Sequence, residues 1–140
     1  MSIDKITVEI ISFGYRYNQM PEANLVFDTR FLKNPHWDPK MKFKTGLDKD
    51  VFDYVFSIDG ANETYEAYLN AIKVSLPLFQ KKAELKQEIN KKIIIAFGCT
   101  GGQHRSVAYA QRLANDLTKD GYKVVVNHRD LQKTLELNNG

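Results

Sequence analysis

Two hydrophobic periodicities alternate along this chain. Ile3, Ile6, Val8, Ile10 and Ile11 form a β-branched run that reaches Phe13 and is closed by Gly14, the pattern of a buried strand ending in a loop. Leu25-Val26-Phe27 is a second, shorter extended run, with turn-prone Asn24 before it and Asp28 and Arg30 at its far end. Asn34-Pro35, Asp38-Pro39 and Thr45-Gly46 then interrupt any regular pattern over residues 30–47. That stretch reads as a long loop, and loops of such length in compact domains are often functional. Val51 and Val55 fit a short helix. Tyr65, Leu69, Ile72, Leu76 and Phe79 recur at the spacing of a longer amphipathic helix, which Pro77 is expected to kink or end early. Residues 92–98 are almost continuously apolar, as parallel strands covered on both faces are, and a glycine-rich loop follows directly. Val107, Ala110, Leu113, Ala114 and Leu117 make one helical stripe stopped near Gly121, after which residues 122–126 are again extended.

The succession predicts a single α/β domain spanning residues 1–140, with a mostly parallel central sheet of about four strands flanked by helices and a ligand loop at the strands' carboxyl ends. Composition agrees: 43% hydrophobic and 26% charged residues suffice for one ordinary core. A single cysteine excludes an internal disulfide, and no Cys/His set has zinc-ligand spacing, so neither metal nor cofactor is expected. The start lacks a signal peptide's succession, and no apolar run approaches a membrane span. A cytoplasmic location without membrane contact is the expectation. The net charge of +3 decides little, because the lysines at Lys40, Lys42 and Lys44, at Lys81, Lys82 and Lys86, and at Lys91-Lys92 are interspersed with acids and read as solvated faces.

The chemistry concentrates in Gly98-Cys99-Thr100-Gly101-Gly102-Gln103-His104-Arg105-Ser106, between a buried strand and an amphipathic helix. In a parallel sheet, ligands bind beyond the carboxyl ends of strands. Glycines there let backbone approach a ligand closely, the free N–H groups of a first helical turn attract anions, and an arginine offers a planar fork of donors suited to phosphate. The plainer alternative is a glycine turn whose His104 and Arg105 cap the helix or face water. Asp28 and Arg30 end the second strand and either reach the same crevice or form a structural ion pair. His36 sits in the long loop, where it would donate to a ligand, titrate near neutrality or serve only the loop's own structure, while Trp37 would anchor that loop on the core. His128 and Arg129 end the last strand and are further candidates for the crevice, although with Asp130 they read equally well as solvated surface.

These tracts together resemble a known family. Ser12-Phe13-Gly14-Tyr15, the run from Phe27 through Asn34-Pro35-His36-Trp37, Thr45-Gly46-Leu47-Asp48, the loop from Gly98 to Ser106, and His128-Arg129 are similar in order and spacing to the C-terminal domain of RNase adapter RapZ, across residues 7–133. The resemblance implies a pocket for glucosamine-6-phosphate in a domain that senses this metabolite, binds small RNAs and presents them to an endoribonuclease. It implies that Cys99, Thr100, Gly101, Gly102, His104 and Arg105 form the phosphate side, with Asp28, Arg30 and His36 nearby, and that the domain forms a homo-oligomer. Asn24 stands where many relatives place an acid and Thr29 where many have valine. The P-loop domain that usually precedes this one in the family has no counterpart here, since no G-x-x-x-x-G-K-[ST] occurs, and the domain reads as a stand-alone one without ATPase activity. Its tail, with Lys133 but also Glu136 and terminal asparagines, is less basic than that of RNA-binding relatives, so RNA binding is expected to be weak at most.

An enzymatic alternative also follows from the residues. Cys99, Arg105 and Ser106 satisfy the C-x5-R-[ST] pattern of cysteine-dependent phosphatases, in which a thiolate beside an arginine attacks phosphorus. Such an enzyme also needs a general acid, for which Asp28 and Asp38 are the candidates.

Overall fold

A computed structural model describes residues 5–17 and 19–133. Four strands, β1 (Thr7–Gly14), β2 (Leu25–Asp28), β3 (Lys92–Cys99) and β4 (Lys123–His128), form one sheet in the order β2-β3-β1-β4. All three pairings are parallel, as the βαβ-like succession predicts. The register aligns Gly14 with Cys99, Ser12 with His128 and Asp28 with Gly98, so the polar ends of all four strands meet along one edge. Of the predicted first run, Ile3 lies outside the described residues and Ile6 immediately precedes the strand.

Three helices connect the strands: α1 (Lys49–Ser57), α2 (Ala61–Leu85) and α3 (Arg105–Lys119). Their apolar stripes join Val8 and Ile10 of β1 and Ile93, Ile95 and Phe97 of β3 in one large cluster. Strand side chains alternate between faces, and those of opposite parity, Ile11, Phe13 and Ala96, form a separate small cluster under Tyr15 and Ala23. The helices therefore pack on one face of the sheet. The apolar run of β3 is covered on both faces, as expected, on the second side by the segment after β1 rather than by a helix. Val26 and Val125 stay exposed.

Pro77 neither ends nor shortens α2, which continues eight residues past it to Leu85. Proline removes one intrahelical donor at a cost of about 3 kcal/mol in a helix interior. Here its ring lies on the exposed side of the helix, while Ile72, Leu76 and Ala83 bury the opposite face. Burying a Leu or Ile side chain gains about 1.5–3 kcal/mol, so packing on both sides of the proline outweighs its cost. No described helix is long and apolar enough to cross a membrane.

Candidate functional site

The site begins with backbone packing where β1 meets the loop after β3. A Cβ on Gly14 would lie 2.6 Å from the carbonyl carbon of Gly101, and one on Gly102 would lie 2.7 Å from the nitrogen of Gly14. Gly102 also has φ = +73°, a conformation that side chains disfavour. Gly102 thus serves the contact between chain segments, whereas Gly101 meets only Arg16 Cζ at 3.9 Å and faces open space. The glycine pair expected to approach a ligand divides into one packing glycine and one lining glycine.

Asp130 fixes the base of this junction. It is fully buried, accepts from Gly14 N–H at 2.7 Å, and is gripped by Arg129 and Lys133. Burial disfavours its charge, yet the hydrogen bonds from Arg129 and Gly14 and the Lys133 contact outweigh it and hold the carboxyl below its ordinary value. Gln103 adds a bond from its side-chain amide to the Asp130 carbonyl at 2.8 Å. The surface reading of Asp130 is corrected here: its acceptors pin two strand ends together. Arg129 is committed to Asp130. His128 sits between Ser12 Oγ, 2.7 Å from Nδ1, and Gln111 Oε1. Neither His128 nor Arg129 lines the cavity described next.

That cavity, of about 280 Å³, opens beyond Cys99 and is lined by Thr100, Gly101, Gln103, His104 and Arg105, by Arg16 after β1, and by Asn34, His36, Trp37, Lys42 and Phe43 from the long loop. Its volume suits a small metabolite. Three of these residues carry permanent positive charge, and none is a carboxylate. The long loop closes on α3 through Gly46, whose N–H donates to Gln103 O at 2.8 Å, and through His104, whose Nε2 donates to Met41 O at 3.1 Å. Within the loop, Asn34 caps a single 3₁₀ turn (Pro35–Trp37) by accepting from His36 N–H at 3.0 Å.

Arg105 is 3% exposed, and one of its terminal nitrogens, Nη1, donates to two carbonyls, Arg30 O at 2.9 Å and Leu32 O at 2.8 Å. The arginine expected to cap or recognise phosphate therefore also holds the chain leaving β2. Its other edge is free to act: Nη2 reaches Thr100 Oγ1 only at 3.4 Å, and Nε–H is buried without a partner. Cys99 is likewise buried, with Sγ 3.2 Å from Ser106 Oγ.

Asp28 and Arg30 form a half-exposed ion pair at 2.7 Å, and Arg30 stacks over Tyr15 at 3.7 Å. They stand outside the cavity lining, as in the ion-pair alternative; the backbone of Arg30, rather than its guanidinium, connects to the site. Asn24 and Thr29, which depart from the resemblance, both tie β2 to β3: Asn24 pairs through backbone and side chain with Ile94, and Thr29 donates twice to Gly98 O. Trp37 is 77% exposed on the cavity rim and does not anchor the loop on the core. Pro35, beside it, is the buried residue of that turn. Arg16 and Phe43 are cavity residues that sequence reasoning did not single out, and Lys42, read there as part of a solvated face, lines the cavity as well. Arg16 follows the Gly14-Tyr15 tract by one position, which is the one signal that pointed toward it.

A family profile described as the RapZ C-terminal domain matches residues 6–132. The chain belongs to that family. Among relatives, it is similar to a protein named "Nucleotide-binding protein" from Carboxydothermus hydrogenoformans, 40% identical over 132 residues, covering 94% of this chain and 44% of the relative. A protein of the same name from Pediococcus pentosaceus is 42% identical over 135 residues, covering 96% and 43%. The chain thus spans less than half the length of these relatives. The residues that the RapZ C-terminal profile matches include all four strands and every residue lining the cavity.

All three histidines of this RapZ-type domain have lowered pKa values, with burial the leading cause in each; at His36 the cations Lys42 and Arg16 add to it. An unfolded histidine titrates near 6.5. Below that pH the unfolded chain takes up protons that the native chain refuses, so stability falls as pH drops from about 6.5 toward the native values. The carboxylates of Asp28, Asp50 and Asp130, held low, give up their contribution only below about pH 4. Urea unfolding at pH 7 and pH 5 isolates the histidine effect. The midpoint is expected to be lower at pH 5, and an equal or higher one would contradict the burial of His104 and His128.

Proposed function

We propose that this domain is a regulatory module that binds a phosphorylated small molecule in the cavity beyond Cys99, with a sugar phosphate such as glucosamine-6-phosphate as the leading ligand. The observation that carries the reading is the buried, unpartnered Nε–H of Arg105 in a cavity with three cations and no carboxylate. A buried donor left unpaired costs about 1–3 kcal/mol, and an anion accepting from Nε and Nη2 together would relieve that cost in the side-on geometry arginine favours. Thr100 and Gly101 would flank the phosphate, Arg16 and Lys42 would complete its charge balance, and neutral His36 would donate its ring N–H, with His104 lining the wall beside it. Trp37 and Phe43, exposed on the rim, would supply an apolar wall for the body of the sugar.

The phosphatase alternative is not favoured. A general acid has to stand within reach of the leaving oxygen. Asp28 is engaged by Arg30, Asp38 accepts from Lys40 N–H, and neither lines the cavity. Contacts with RNA and with an endoribonuclease, implied by the family resemblance, are proposed as secondary and salt-sensitive.

Ligand binding to the native state alone raises the melting temperature, by an amount equivalent to about 2.7 kcal/mol at a hundredfold excess over Kd. Melting with millimolar hexosamine phosphate, hexose phosphate and inorganic phosphate tests the reading directly. Trp37 is the sole tryptophan and sits on the cavity rim, so its fluorescence should change in the same titration. Arg16→Ala and Lys42→Ala remove exposed side chains and should each weaken binding about tenfold while leaving the fold intact. No stabilisation by any sugar phosphate would refute the proposal, and phosphate release by the parent, lost in Cys99→Ser, would favour the enzyme.

A further inference from the structure

The long loop after β2 is tied down firmly at its two ends and hardly at all between them. At the near end Thr29 N–H and Oγ1 both donate to Gly98 O, Leu32 is buried, and Arg105 Nη1 donates to the carbonyls of Arg30 and Leu32. At the far end Met41 is buried with its carbonyl 3.1 Å from His104 Nε2, and Gly46 N–H donates to Gln103 O. Among the described residues, every hydrogen bond made by residues 33–40 stays between Asn34 and Lys42. Asn34 accepts from His36 and Trp37, Pro35 O from Asp38, and Asp38 from Lys40, Met41 and Lys42. The segment is thus a self-bonded unit, and Pro35, in a turn that touches α1, is its one buried residue.

Space lies on both sides of this unit. On one side is the cavity, which His36 lines, and on the other is an open groove of about 430 Å³ bordered by Lys33, Asp38, Pro39 and Tyr54 of α1. Asn34 and Trp37 border both spaces, and Trp37 is 77% exposed on the divide. Close packing is what ordinarily keeps a segment from moving as a body, and here it is missing on both flanks. Short segments between firm anchors, with few buried contacts of their own, are the ones that open and close locally.

The cavity supplies the force that would close it. Gln103, His104 and Arg105, which hold the two ends of the loop, also line the cavity and form its fixed side. His36 is the donor on the moving side. An anion that accepts from Arg105 Nε and from the His36 ring ties the unit to the body. Drawing His36 inward carries Trp37, its neighbour in the same turn, across the cavity mouth and takes the indole out of water.

We propose that residues 33–40 are a lid, hinged at Leu32 and Met41 and pivoting on Pro35, that an anion in the cavity draws shut. This rests on the reading of the cavity as a phosphate site. Closure shields the bound group from water and turns occupancy into a change on the outer surface that carries Lys33 and Lys40.

Amide exchange over residues 33–42 and acrylamide quenching of Trp37, the sole tryptophan, follow the lid, while melting of the same samples reports binding independently. The probes are inorganic phosphate and glucosamine-6-phosphate, each at millimolar concentration with the whole chain. Both should raise the melting temperature, slow exchange in the lid by about tenfold or more, and lower the quenching severalfold. Inorganic phosphate is the deciding probe, because it has no sugar body to cover the indole by contact. His36→Leu keeps the bulk without the donor, so phosphate should still stabilise it through Arg105 while the lid stays unprotected. Stabilisation by phosphate with lid exchange and quenching unchanged would overturn the lid and leave the phosphate site standing. Quenching that responds to the sugar phosphate alone, or a lid that still closes in His36→Leu, would do the same. No stabilisation by either probe would overturn both.

Discussion

Arg105→Ala is expected to destabilise the fold by about 2–4 kcal/mol and to abolish phosphate binding in the same stroke. The guanidinium is buried, and its Nη1 satisfies the carbonyls of Arg30 and Leu32. Truncation leaves both acceptors without a donor in a water-poor site, each costing about 1–3 kcal/mol where water cannot enter. It also removes the cavity's innermost cation. Urea unfolding measures the first effect and ligand-dependent melting the second. Arg105→Lys separates them: an ammonium keeps the charge and can reach one carbonyl, so stability should recover in part, while the planar fork for phosphate is lost. An Arg105→Ala variant as stable as the parent would show that these carbonyl bonds carry no weight.

Gly46→Ala is expected to be at least as damaging, by about 3 kcal/mol, for a steric reason. A Cβ at position 46 would lie 2.4 Å from His104 O and 2.6 Å from Ala108 N, both backbone atoms of the first turn of α3. Neither can rotate away. The loop must lift, which breaks the bond from Gly46 N–H to Gln103 O and draws Met41 away from His104, and so opens the cavity wall formed by Lys42 and Phe43. Gly101→Ala is the control: its nearest neighbour is a flexible arginine tip 3.9 Å away, and stability should change by less than about 0.5 kcal/mol. Equal stability of the two variants, measured by chemical unfolding, would contradict the close approach at Gly46.

Much of the fold was legible because its signals are local. The β-branched runs at Ile10-Ile11 and Ile93-Ile94-Ile95 specify strands, the stripe from Val107 to Leu117 specifies α3, and the glycine loop between them puts the cavity at the carboxyl end of β3. Pro77 misled for the same reason: its helix-breaking tendency is local, whereas the packing of Leu76 and Ala83 that overrides it is not.

The sequence by itself determined the α/β class, the parallel strand succession, the family resemblance and the position of the Cys99–Arg105 loop, because periodicity and turn chemistry act between residues close along the chain. Only the tertiary structure decided which polar side chains do which work. It turned Arg105 partly away from the cavity to hold two distant carbonyls, buried Asp130 to pin Gly14, withdrew Asp28, Arg30, His128 and Arg129 from the cavity lining, and brought in Arg16, Lys42 and Phe43. These roles depend on which donors and acceptors lose water when separate segments meet. A buried polar group must then find a partner among whatever the fold has placed beside it, and that choice is written in no single stretch of sequence.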